Sequence, residues 1–251
     1  MCAWSARSYV CDMTEIADIK SSRESGAKPQ SAAWLRIFAL AYDPLLWLGE
    51  TAGMRRRRAA LLADAYGRVV EIGAGTGLNV AHYPAAVTEL VLTEPEPGMR
   101  RKLSRRVRRH GCATRIVDAK AEHLPFVDAS VDTVVSTLAL CTVDEPERVL
   151  REIARVLRPD GQLLFIEHVR ASSRLLAACQ DRLAEPWRHF AGGCRCNRDT
   201  VGHLRACGFT VSAQHSVWRA MPAIVHPLVM GRATRTVTPS GEPRRISTET
   251  T

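Results

Sequence analysis

Val69-Val70-Glu71-Ile72 is an apolar run that carries one acid, and Gly73, Gly75 and Gly77 follow it at two-residue spacing. Buried parallel strands read as continuous Val/Ile runs, and a glycine-rich turn directly after one lets a backbone come very close to a ligand. The pattern predicts a nucleoside-bearing ligand held by Gly73, Ala74, Gly75 and Gly77 at the carboxyl end of a first strand, with Asn79 near the start of the following helix. Glu94 closes a second apolar run, Leu90-Val91-Leu92-Thr93, and lies 21 residues after Gly73. A carboxylate on that strand tip can accept hydrogen bonds from both hydroxyls of a ribose. Met99 is a candidate for the face of the base, and core packing is the competing role. Two other nucleotide signatures are excluded. Leu78 stands where the dinucleotide fingerprint needs glycine, and no Gly-Lys-Ser/Thr triplet of a phosphate loop follows.

Three further stretches are expected at the same sheet edge, because right-handed crossovers bring the carboxyl ends of parallel strands together. They are Val117-Asp118-Ala119-Lys120-Ala121-Glu122-His123-Leu124-Pro125-Phe126, then Thr137-Leu138-Ala139-Leu140-Cys141-Thr142-Val143, then Leu164-Phe165-Ile166-Glu167-His168. Taken in order, the Glu71-x-Gly73-x-Gly75-x-Gly77 turn, the acid Glu94, Ala121-Glu122-x-Leu124-Pro125-Phe126 and Leu150-Arg151-Glu152 through Arg158-Pro159-x-Gly161 resemble class I S-adenosylmethionine (SAM)-dependent methyltransferases of the ubiquinone/menaquinone-biosynthesis type, over about residues 65–170. From roughly 68 to 231 the chain is also similar to the small methyltransferase-like thiol S-methyltransferases. There Leu140-Cys141 before a small hydroxyl residue, Glu167-His168-Val169, and Pro186-Trp187 ahead of Gly193-Cys194 recur in the same order.

The resemblance implies an α/β Rossmann-like fold, a mostly parallel seven-stranded sheet with helices on both faces. It implies an enzyme that uses SAM and releases S-adenosylhomocysteine. The implied cofactor contacts are Glu71, Gly73, Ala74, Gly75, Gly77, Asn79, Glu94, Met99, Ala121, Glu122 and Thr137. One departure is Lys120, where many relatives carry an acid that accepts from the adenine amino group; lysine cannot accept that bond, so the adenine would rest on backbone near Ala121 and on Glu122. Methyl transfer is an in-line displacement, for which alignment alone can supply ~7–11 kcal/mol. Glu167 and His168 are the candidates for deprotonating or positioning the acceptor, and strand alternation predicts that only one of them faces it. Cys141 is expected to wall the acceptor pocket, with Trp187 and His189 capping it.

The acceptor is expected to be small and lipophilic, first a thiol. O- or C-methylation of a quinone or natural product, phospholipid N-methylation, and a non-catalytic SAM-binding adaptor remain as alternatives. Cys194, Cys196, His203 and Cys207 match no zinc spacing, and no metal is expected.

The elements that must position these groups follow from periodicity. Strands are predicted at 68–73, 89–94, 114–118, 131–137 and 162–168, and helices at 77–83, 97–110, 145–157 and 172–190. A short helix near 198–207 and two final strands, 208–215 and 217–230, complete the pattern, with Pro222 and Pro227 counting against the last. Residues 1–30 read as a flexible arm, 31–66 as a helical cap broken near Pro44 and Gly49, 67–233 as the methyltransferase domain and 234–251 as a disordered tail. The apolar face of the cap can cover the site, rest on a membrane or pack on the sheet.

Composition narrows the setting. The chain has 251 residues and a net charge of +9, with Arg55 to Arg58 in one run and Arg100, Arg101, Lys102, Arg105, Arg106, Arg108 and Arg109 crowding a second segment. Met99, Leu103 and Val107 fall at i, i+4, i+8 within it, so the cations are expected to face water or an anionic membrane surface. No aromatic residue interleaves them to stack on bases, so nucleic acid is not an expected partner. Eight cysteines in a chain of this length do not suggest a disulfide scaffold, and no signal peptide is expected. The longest apolar stretch, 34–48, is interrupted by Arg36, Asp43 and Pro44, so the membrane helix of the thiol-methylating relatives does not carry over. The expected location is the cytoplasm, with peripheral membrane contact as an option.

Overall fold

The computed structural model describes residues 31–110 and 114–236. The expected arm at 1–30 and the residues of the expected tail beyond 236 lie outside the described residues. Seven strands form one sheet in the order β3-β2-β1-β4-β5-β7-β6. They are β1 (Gly67–Ile72), β2 (Val87–Thr93), β3 (Thr114–Val117), β4 (Val131–Thr137), β5 (Leu157–His168), β6 (Phe209–Val217) and β7 (Pro227–Arg235). The first five pair in parallel, and β7 runs antiparallel to both β5 and β6. The chain reverses its direction of winding between β1 and β4, which opens a crevice at their carboxyl ends.

The central strands are buried on both faces, so they carry nearly uninterrupted apolar residues. Val69, Val70 and Ile72 of β1, Val134 and Val135 of β4, and Leu163 and Phe165 of β5 are inaccessible to solvent. Helices α3 (Pro97–His110) and α4 (Pro146–Val156) cover the sheet with stripes at helical spacing: Met99, Leu103 and Val107 on one, Val149, Leu150, Ile153 and Val156 on the other. Helices α5 (Arg174–Phe190) and α6 (Thr200–Ala206) complete the layers. Gly49 lets the Trp218 indole come close to its backbone, since a Cβ there would fall 2.3 Å from the ring. Trp218 Nε1 donates to Gly49 O at 3.0 Å, pinning the end of the first helix to the β6–β7 connection.

Four expectations about elements change. Helix α1 (Ala32–Gly49) runs straight through Pro44, and the break comes in a π-helical turn at Glu50–Met54, where Gly53 takes φ 127°, before α2 (Arg55–Leu62). The helix expected at 77–83 is only a 3₁₀ turn, Val80–His82, because Asn79 turns its side chain inward and Pro84 follows. β5 begins at Leu157, and its register with β4 shifts between Val131 and Thr133 to accommodate the Arg158–Gly161 stretch. The last strand starts at Pro227 rather than 217; Pro222 sits in the connection and Pro227 takes the first strand position, where its missing N–H is tolerated. Among the described residues no helix is long and apolar enough to cross a membrane.

Candidate active site

The glycine turn leaves β1 with φ of 58° at Gly73, 56° at Gly75 and 83° at Gly77, all in the left-handed region. A Cβ on Gly73 would stand 2.8 Å from that of Ala139 in the loop after β4, so only glycine lets the two strand tips meet this closely. Glu94 at the tip of β2 reaches back to the turn. Its Oε2 accepts from Gly75 N at 2.8 Å and its Oε1 from Glu96 N at 2.9 Å. Burial raises the Glu94 carboxyl above its ordinary range, and the two backbone N–H groups pull against that rise. Gly73, Gly75 and Glu94 thus form one cradle at the crevice: bare backbone beside a carboxylate, the donor and acceptor set that an amino-acid-bearing nucleoside needs. SAM fits that chemistry.

Beneath the turn lies a buried polar chain. Glu71 accepts from Asn79 Nδ2 at 2.9 Å and from the Tyr83 hydroxyl at 2.5 Å. Asn79 Nδ2 also donates to Thr137 Oγ1 at 2.9 Å, and its Oδ1 accepts from Arg58 Nη1 at 2.9 Å. Arg58 completes the chain on Glu50 at 3.0 Å. Desolvation raises Glu71 from 4.5 to about 7, despite the hydrogen bonds from Tyr83 and Asn79 and the charge of Arg58. Glu71, Asn79 and Thr137 are therefore brought together in a supporting layer that ties the turn to α2.

The cap closes over this group. Asp43 of α1 accepts from Thr76 Oγ1 at 2.6 Å and pairs with Arg106 at 3.3 Å, while Lys102 donates to Leu40 O at 3.0 Å. Tyr42 and Arg58 line the cradle with Glu71, Gly73, Gly75 and Thr137, leaving a cavity of about 20 Å3. Several cations expected to face water are used here: Arg106 and Lys102 hold the cap, and Arg100 pairs with Asp118 at 2.7 Å and donates to Glu94 O at 2.8 Å. Arg101, Arg105, Arg108 and Arg109 do face solvent. Met99 is buried and donates its backbone N–H to Glu96 at 2.6 Å. Ala121 packs into the core, Glu122 is half-buried, and Lys120 is exposed.

The crevice beyond β1 is built by β4, β5 and the loop after α5. Leu138 adopts φ 58°, a strained backbone for a branched residue, and donates to Ile166 O at 2.8 Å. The loop it begins is held by Glu167, whose carboxylate accepts from Ser136 Oγ at 2.7 Å and from the backbone N–H groups of Ala139, Leu140 and Cys141 at 3.0–3.1 Å. Burial raises Glu167, and those donors oppose the rise. His168 approaches the same loop from the side. Its Nδ1 lies 3.7 Å from Cys141 Sγ and 3.5 Å from Cys194 Sγ, and its ring stacks on Trp218 at 6.0 Å. Next to this group Leu183, Pro186, Trp187, Phe190 and Ile224 line an apolar cavity of about 230 Å3. His189 is exposed and contacts Glu185 O at 3.1 Å.

Sequence reasoning missed several residues here. Arg58, Trp218 and Arg198 are all buried, and Arg198 donates to Leu140 O and Val143 O. Gln180 is fully buried and bonds Val169, Ala171, Cys196 and Ile224. A polar residue in a helix or loop gives no periodic signal of such a role; only the fold shows what it reaches. The cysteine and histidine set weighed from spacing is also dispersed: His203 pairs with Glu147 at 3.2 Å, whereas Cys194 meets Cys141 and His168.

Comparison with known proteins agrees with this geometry. A family model described as a methyltransferase domain matches residues 70–165. The human (Homo sapiens) thiol S-methyltransferase TMT1B is 36% identical over 183 residues, covering 69% of this chain and 74% of that protein. A phosphatidylethanolamine N-methyltransferase from Cereibacter sphaeroides is 35% identical over 134 residues, covering 52% of this chain and 64% of that one. Among solved structures, a SAM-dependent methyltransferase from Thermotoga maritima, described as a possible histamine N-methyltransferase, superposes with a TM-score of 0.63 at 23% identity, over 82% of this chain and all of that chain.

Proposed function

The chain belongs to the SAM-dependent methyltransferase family, and from that membership we propose that it methylates small lipophilic thiols at sulfur. One observation carries the choice of acceptor: at the β5 tip the Glu167 carboxylate and His168 Nδ1 are both already engaged. The Glu167 carboxylate is engaged by four donors, which makes it a positioning residue for the 138–141 loop. His168 Nδ1 faces two sulfurs. An acceptor in the apolar cavity beside Trp187 must then reach its nucleophilic form with little help from these two side chains. A thiol with pKa ~8.5 is already a few per cent thiolate at neutral pH, and an alcohol is not. The thiol S-methyltransferase activity of a relative that matches 69% of this chain supports the same choice.

Bound SAM supplies a methyl group on a positively charged sulfur. Gly73 and Gly75 would let the backbone close on its amino-acid portion, and Glu94 would hold its ribose hydroxyls. Ala139, Leu140 and Cys141, fixed by Glu167, set the wall against which methyl and acceptor align. Trp187 and its apolar neighbours exclude water from the acceptor.

A second reading, N-methylation of a phospholipid, is favoured by the surface of α1. Ile37, Leu40, Leu45, Trp47 and Leu48 are exposed there, near Arg55 and Arg56. We read this face as a peripheral contact with anionic membrane in either case, which would bring lipophilic acceptors to the site. The readings separate in one assay. S-adenosylhomocysteine release is measured with alkyl thiols, quinols and aminophospholipids offered in turn. The thiol reading expects release with the thiols; release with quinols or aminophospholipids alone would replace it.

A further inference from the structure

We propose that Cys141, His168 and Cys194 form a three-ligand site for a zinc ion, with the fourth position open to the sulfur of the acceptor. The three side chains come from separate segments, the loop after β4, the end of β5 and the loop after α5, and all are buried. Their donor atoms make a triangle with sides of 3.8 Å (Cys141 Sγ to Cys194 Sγ), 3.7 Å (Cys141 Sγ to His168 Nδ1) and 3.5 Å (Cys194 Sγ to His168 Nδ1). Zinc–sulfur bonds of ~2.3 Å and zinc–nitrogen bonds of ~2.0–2.1 Å at tetrahedral angles give edges of about 3.8 Å between sulfurs and about 3.5 Å between sulfur and nitrogen. The triangle is one face of that tetrahedron.

The backbone holds the triangle in place. Cys141 N donates to Glu167 and Cys141 O accepts from Arg195 N at 2.8 Å, so the loops carrying the two cysteines are joined. Gly193, at φ 100°, passes close to Thr142, where a Cβ would lie 3.1 Å from its carbonyl oxygen. His168 is fixed by its stack on Trp218 and turns Nδ1 to the sulfurs, while its Nε2 has no hydrogen-bond partner among the described residues. Among those residues no fourth His, Cys, Asp or Glu joins the set, and Leu138, Trp187, Ala191 and Met221 pack around its cysteines. Two thiolates and an imidazole suit a borderline-soft d10 ion, and three protein ligands with an open position is the arrangement of catalytic rather than structural zinc.

The metal site stands on geometry alone; only the assignment of its fourth position rests on the thiol reading. A thiol that ligates zinc is deprotonated, its proton passing to solvent. Its sulfur then forms a bond to the methyl carbon as the bond from that carbon to the sulfonium sulfur breaks. The thioether produced is neutral, a poorer ligand than the thiolate, and leaves the metal.

The test uses the full chain, loaded with zinc, dialysed and analysed for metal, and in parallel loaded with cobalt(II) for its thiolate-to-metal charge-transfer absorption. The expected result is about one zinc per chain, the charge-transfer band with cobalt, and loss of both in Cys194→Ser but not in Cys196→Ser, whose sulfur lies outside the triangle. The cobalt spectrum of the unaltered protein needs no variant to fold. No retained zinc and no band would overturn the site, leaving Cys141, His168 and Cys194 as a hydrogen-bonded thiol network. Addition of an alkyl thiol should shift the cobalt spectrum. An unshifted spectrum during continuing methylation of that thiol would overturn the fourth-position assignment alone. Bound metal with turnover only of quinols or aminophospholipids would overturn the acceptor reading and not the site.

Discussion

At the scale of the residue, Glu94 and Glu71 do opposite things with similar burial. Glu94 faces the cradle and trades hydrogen bonds with backbone, so it is the group whose loss the cofactor should feel most. Hydrogen bonds to a charged group contribute ~1.5–3 kcal/mol, so Glu94→Ala should weaken SAM binding by roughly 10- to 100-fold in calorimetry, with the fold intact by circular dichroism. Glu71 lies beneath and reports on folding. Its carboxyl is raised from 4.5 to about 7 by burial, so between those pH values the folded chain keeps a proton that the unfolded chain has released. Stability must fall as pH rises through that window. In urea unfolding at pH 5 and pH 7.5, the unaltered protein should lose up to ~2 kcal/mol relative to Glu71→Gln between the two; a constant difference would refute the buried-acid role. Both acids were visible in the sequence, because each ends or precedes a feature with fixed geometry. Their division of labour was not, since the same spacing places Glu71 under the turn and says nothing of Tyr83, Asn79 or Arg58 closing around it.

At the scale of the element, the contacts that orient the helices are longer-range than any motif. Helix α6 is tied to α4 by His203 Nε2 and Glu147 Oε1 at 3.2 Å. His203 holds Glu147 down from 4.5 to about 2, and Glu147 raises His203 above 6.5. The Glu147 contribution is present above about 4.5 and is lost as pH falls through about 2. The His203 contribution is present below 6.5 and is lost as pH rises through its raised folded value. His203→Gln should therefore cost up to ~1 kcal/mol at pH 6 and much less at pH 9, measured by urea unfolding; an equal cost at both would make the contact one of packing. The parallel strands were legible because burial on both faces leaves an apolar run that needs no partner to recognise. Helix α1 and the last hairpin were not. Pro44 looks like a break yet is carried within the helix, while the real break waits for Gly53, and Trp218–His226 fills a connection that composition alone reads as strand.

At the scale of the molecule, the cap presents two faces with different duties. Tyr42 and Asp43 look inward to the cradle and its flank, and Ile37, Leu40, Leu45, Trp47 and Leu48 look outward. Co-sedimentation with vesicles should require anionic lipid, weaken as salt rises past the ~8 Å Debye length of physiological solution, and drop sharply in Trp47→Ala/Leu40→Ser. Retention on neutral vesicles at high salt would remove the electrostatic part of that contact. The proposed acceptor position is also a property of the whole, since the β4 loop, the β5 tip and the loop after α5 meet only once the sheet is assembled. The decisive measurement follows a labelled methyl group from SAM into one small acceptor that carries a thiol, a hydroxyl and an amine together, with nuclear magnetic resonance identifying the atom that receives it. The label is predicted on sulfur. Label on oxygen or nitrogen, or none transferred while the thiol is saturating, would contradict thiol methylation.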